Sequence, residues 1–172
     1  MKKYHFKDAF IEAESFFAAH NYISDKAFDK IEFSDTVRFM GICRAMEVNH
    51  VFAIEMFLKC LSLIKTNHYK GGHDLVSLFK HLAPKIQNEI ITHYDENYKS
   101  VDEESILVLI GKCPPGFTEL LEQSKDYFLE SRYIFSRENR YKFYKLRYVL
   151  ITLRDMCIKY KPELNEEVFA LN

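Results

Sequence analysis

The chain has 172 residues, 48% apolar and 28% charged, which is enough for one globular domain with a core of its own. Lys plus Arg number 24 against 25 Asp plus Glu, so the formal net charge of −1 exerts no global pull toward nucleic acid or an acidic membrane. Only 5 Gly and 4 Pro accompany 15 Phe and 11 Tyr, which excludes a disordered or collagen-like chain and disfavours a turn-rich β-sandwich.

The N-terminus, MKKYHFKDAFIEAESFF, carries neither an apolar h-region nor a small-residue cleavage site, so no signal peptide is expected. A first helix is expected from about Lys7 to His20, with Phe10, Ala13 and Phe17 on its apolar face and a break at Asn21–Ser24. Ser34 or Asp35 can cap a long helix that runs to about Thr66. That helix is apolar on nearly every face and is therefore expected to be buried. Its most apolar stretch, Val51–Ile64, is interrupted by Glu55 and Lys59 and is too short to cross a bilayer. At 100° per residue, Arg44, Glu55 and Ser62 fall within about 20° of each other, with Lys59 one turn after Glu55. A narrow polar stripe on a buried helix must face polar partners.

Gly71-Gly72 ends that element, and His73 or Asp74 can cap the next helix, whose apolar face is Leu75, Leu78, Phe79 and Leu82. Pro84 can open another helix that continues through Ile86, Ile90, Ile91 and Tyr94 to about Tyr98. Ser100–Ser105 reads as an acidic loop, Ile106–Ile110 as a brief apolar run, and Gly111–Gly116 as a loop within the domain. Helices follow from about Thr118 to Ser131 and from about Asn139 to Tyr160, the latter stopped by Pro162 and cored by Phe143, Leu146, Leu150, Leu153 and Cys157. The expected fold is all-α, an antiparallel bundle of about five to six helices in one domain over 1–172, with residues 1–34 as a possible accessory element.

Cys43, Cys60, Cys113 and Cys157 are scattered without metal-ligand spacing and are expected to be reduced thiols in a cytoplasmic protein. The histidines show no metal-ligand spacing either, and no Gly-rich phosphate loop, GxSxG or HExxH occurs, so neither a metal nor a cofactor is expected. The charge is uneven. Nine basic and two acidic residues lie between Ser131 and Lys161, a local +7 that leaves −8 for the rest. Arg137, Arg140, Tyr144, Arg147 and Arg154 fall on one helical stripe, opposite the apolar face. Basic residues interleaved with tyrosine suit phosphate contact and base stacking, and equally suit pairing with an acidic surface. His73-Asp74 offers either an acid–base pair or a helix cap. Arg44 and His50 lie about 120° apart on one helix and would converge only across a dimer axis.

Asn49–Leu63 (NHVFAIEMFLKCLSL), followed by Gly72-His73-Asp74-Leu75, Leu78-Phe79 and later Ser131-Arg132-Tyr133-Ile134-Phe135, resembles the HEPN superfamily (higher eukaryotes and prokaryotes nucleotide-binding domains). The resemblance spans about Arg38 to Tyr160. It implies an antiparallel bundle of four to five helices, often a homodimer. Many members are metal-independent ribonucleases in toxin–antitoxin, antiviral-defence or CRISPR-linked systems, and others bind nucleotides or partner a nucleotidyltransferase. Carried over to this chain, the polar set is Glu55, Lys59, His73, Asp74, Arg132 and Tyr133, with Glu55 a natural partner for Arg132. The family's ribonuclease signature, an Arg followed four to six residues later by His, usually late in the chain, is matched in spacing only by Arg44–His50, on an earlier helix. The resemblance thus implies an RNA-binding or nucleotide-binding protein, with or without an antitoxin or nucleotidyltransferase partner. An active endoribonuclease would use His50 or His73 as acid or base and Arg44 or Arg132 to stabilise the phosphorane. A non-catalytic interaction bundle is the remaining alternative.

Overall fold

The computed structural model describes residues 5–27, 36–98, 116–124 and 146–169. Among these residues every regular element is a helix. They are α1 (Phe6–Ala27), α2 (Thr36–Thr66), α3 (Leu75–His81), α4 (Pro84–Asn97), α5 (Phe117–Ser124), α6 (Leu146–Tyr160) and α7 (Leu164–Phe169). The expected all-α bundle is therefore what the chain forms. No described helix is long and apolar enough to cross a membrane.

Side-chain register fixes the helix directions. Phe10 meets Phe57 edge-on at 5.6 Å, Phe16 stacks on Phe52 at 5.0 Å, and His20 Nδ1 lies 3.1 Å from the Met46 carbonyl, so α1 runs antiparallel to α2. Arg154 on α6 reaches Glu14 on α1, and Cys157 Sγ donates to the Phe57 carbonyl at 3.7 Å. On α4, Glu89 accepts from the Tyr160 hydroxyl at 2.6 Å and His93 lies 3.3 Å from Asp155, so α4 and α6 are antiparallel. The shared core is built from Phe10, Ile54, Phe57, Leu61, Ile90, Leu146, Leu150 and Leu153, all at 0% exposure. Cys60 and Cys157 are buried with it, and Cys43 is half-buried.

The chain departs from its sequence pattern in four places. No break occurs at Asn21–Ser24, because α1 continues to Ala27. Asn and Ser cost an interior helix only a few tenths of a kcal/mol, about 0.7 at most, and buried His20 ties those turns to α2. Burial of α2 sets in only at Met46, with Val37 83% exposed, since among the described residues α6 begins alongside His50 and leaves the first turns uncovered. The end of α2 is made by Asn67 rather than by the two glycines: Asn67 takes φ 56° and its N–H returns to the Leu63 carbonyl at 3.0 Å. A further short helix, α7, follows Pro162, with Leu164 wholly buried. The expected caps at Ser34 and Asp35, the loops at 100–105 and 111–115, the run 106–110, the helix portions at 125–131 and 139–145, and Cys113 and Phe143 lie outside the described residues.

Candidate functional site

The polar stripe of α2 meets its partners at the turn into α3. Ser62 donates its hydroxyl to the His68 carbonyl at 2.7 Å, and the His68 N–H donates to Thr66 Oγ1 at 3.2 Å. This folds the segment after α2 back over the helix end. Gly72 then takes φ 101°, a conformation that side chains rarely adopt, and the chain reverses into α3. Asp74 is the N-cap, its Oδ1 accepting from the Ser77 N–H at 3.0 Å. Of the two expected roles for the His73-Asp74 pair, capping therefore belongs to Asp74, and His73 is released for another contact.

That contact is Glu55. The Glu55 carboxylate, with its side chain 3% exposed, accepts from Lys59 Nζ at 2.6 Å and lies 2.9 and 3.1 Å from His73 Nδ1. A buried carboxylate needs charged or hydrogen-bonded partners, and both are supplied here. Lys59 is nearly covered and also sits 5.5 Å from the centre of the Tyr69 ring. His73 is the open edge of the group, with its side chain 56% exposed. The carboxylate fixes the orientation of the ring through Nδ1. Glu55, Lys59, His73 and Asp74 are thus brought to one place. Arg132, the partner expected for Glu55, lies outside the described residues, as do Tyr133, Arg137, Arg140 and Tyr144.

The other expected residues are dispersed. Arg44 is half-buried 11 residues before Glu55 on the same helix, about 16 Å away along its axis. His50, expected as an acid or base, is 1% exposed between α1 and α6, with its ring edge-on to His20 at 4.8 Å. Burial lowers its pKa to about 3, helped by the nearby His20 and Arg147 and opposed by a backbone contact at Leu146. It is a neutral core histidine that no substrate reaches in this arrangement. Arg154, expected on a basic nucleic-acid stripe, turns inward, and its Nε donates to Glu14 at 2.6 Å. This is the pairing with an acidic group that the sequence left as the alternative to phosphate contact. Arg147 remains exposed at the start of α6.

Two groups escaped the sequence reading. A cleft of about 470 Å³ beside Asp74 is lined by Lys70, Asp74, Val76, Ser77, Lys80 and His81. On the far side, Asp155 accepts from the Tyr98 hydroxyl at 2.5 Å and faces His93 Nε2 at 3.3 Å, and Tyr98 stacks on Tyr148 at 5.5 Å. Burial and the Asp155 contact raise the Tyr98 pKa. In the first group Lys70 precedes the turn and Ser77 follows it, and in the second the partners are 57 and 62 residues apart, so neither leaves a local signal. Among the described residues no group of His, Cys, Asp and Glu is placed to hold a metal ion. Compared with protein-family models, with curated proteins and with solved structures, the chain matches none.

Proposed function

We propose that this chain is a HEPN-like helical protein that binds RNA, or the nucleotide-bearing surface of a partner, across the turn between α2 and α3. The observation that carries the reading is the bond between exposed His73 and buried Glu55 at 2.9 Å, inside the Gly-His-Asp-Leu turn that carries the family resemblance. A carboxylate-oriented imidazole, half exposed and next to a lysine-bearing cleft, suits recognition of a phosphodiester. A bacterial defence or toxin–antitoxin setting, with a second copy, an antitoxin or a nucleotidyltransferase as partner, follows from the same resemblance. The test is a binding isotherm of labelled single-stranded RNA against wild type and His73→Ala. The expected result is saturable binding that weakens about tenfold in the variant, as loss of one charge-assisted contact implies. Equal affinity, or no affinity in wild type, contradicts the reading.

The same Glu55–His73 bond favours a second reading, a metal-independent endoribonuclease. His73 takes the proton from a ribose 2′-hydroxyl as that oxygen attacks the adjacent phosphorus, the bond to the 5′-oxygen breaks, and that oxygen leaves with a proton from water. RNA cleavage in the presence of a chelator, abolished in His73→Ala and retained in His50→Leu, is the outcome this reading requires. Intact RNA after prolonged incubation with pure protein rejects it.

A further inference from the structure

The cleft beside His73 combines positive charge with hydrogen-bond donors. Lys70, Lys80 and His81 line it with the Ser77 hydroxyl, against one carboxylate, Asp74. That carboxylate is already engaged, since its Oδ1 caps α3 through the Ser77 N–H. Lys70 Nζ donates to the Ser77 hydroxyl, so an ammonium and a hydroxyl stand side by side on one wall. Lys80 pairs with Glu122 at 3.2 Å, with both side chains at least half exposed, a contact that a stronger anion displaces at little cost. The cleft opens within one residue of His73, whose Nδ1 is held by Glu55.

We infer that this cleft is a phosphate subsite, in which Lys70, Ser77 and Lys80 hold a phosphate group of the ligand whose neighbouring part lies against His73. The inference builds on the function proposed above and adds a location and a ligand group to it. Lysine supplies a point charge to a phosphate oxygen, and the serine hydroxyl supplies a directional donor. The phosphate is either an internal diester of RNA or the terminal phosphate of a nucleotide, and the two are separable by experiment.

The probes are pyrophosphate, a nucleoside monophosphate and a short single-stranded RNA, each titrated into wild type, Lys70→Ala, Lys80→Ala and the charge-preserving Lys70→Arg. Pyrophosphate is expected to bind wild type and to bind Lys70→Ala and Lys80→Ala several-fold more weakly, with Lys70→Arg close to wild type. For a diester, RNA binding falls in both alanine variants, and the slope of log affinity against log salt drops by about 1 for each lysine removed. For a terminal phosphate, the nucleoside monophosphate responds and internal RNA does not. Pyrophosphate bound equally by wild type and both alanine variants, or not bound at all, overturns the subsite. RNA that fails to bind wild type while pyrophosphate still distinguishes the lysine variants overturns the function proposed above and leaves the subsite standing.

Discussion

Glu55 is the residue on which the site depends, and its variants separate structure from binding. Glu55→Ala strips a nearly covered Lys59 of its carboxylate and should destabilise the fold by about 3 kcal/mol in urea unfolding, as breaking a buried ion pair does. His73→Ala removes only the exposed member and should cost less than about 1 kcal/mol. A stability loss in His73→Ala as large as that in Glu55→Ala would make the histidine a structural prop. His50 gives a separate pH signature. Its folded pKa of about 3 lies below the ordinary histidine value, so the unfolded chain binds the proton more readily. Its stabilising effect is present in full above about pH 6.5 and is lost as pH falls from there toward 3, by an amount on the order of a few kcal/mol. Burial lowers the His20 pKa as well, which acts in the same direction. His50→Leu should flatten the acid limb of a stability–pH curve, and an unchanged limb would assign acid unfolding to other groups.

At the scale of the element, helices were legible where apolar spacing was sustained and one terminator was strong. Pro84 sits in the first turn of α4 as its ring geometry favours, and Leu75, Leu78, Phe79 and Leu82 are all buried as their spacing implies. The helix ends decided by a single left-handed residue or by tertiary anchoring were not legible. Asn67 stops α2 ahead of the glycines, and His20 carries α1 through a segment whose composition suggests a break. The α3 cap gives a direct check. Asp74→Ala should cost about 1 kcal/mol through loss of the Ser77 N–H acceptor, and Asp74→Asn a few tenths at most. Gly72→Ala should cost about 1 kcal/mol or more because φ 101° is closed to a Cβ-bearing residue. Equal stability of Asp74→Ala and wild type by thermal unfolding would show that the cap is dispensable.

Across the whole molecule, the near-neutral charge conceals the distribution that matters. The sequence located the polar stripe on α2 and the Gly-His-Asp-Leu turn, and the family resemblance grouped Glu55 and His73 in one polar set; the folded-back segment after Thr66 that joins them across 18 residues was not legible. It left the basic stripe of the last long helix open between a nucleic-acid face and pairing with an acidic surface, and within the described part of that helix Arg154 pairs with Glu14, a partner 140 residues away that spacing alone does not reveal. The lysines at the α2–α3 turn, fewer and less conspicuous in the composition, are the ones that line a cleft. The most direct test is to titrate isotopically labelled protein with single-stranded RNA and follow the backbone amides by NMR. The largest shifts should fall on Glu55, Lys59 and residues 70–81. Shifts confined to the α4–α6 face around His93 and Asp155, or no shifts at saturating RNA, would contradict a ligand site at the α2–α3 turn.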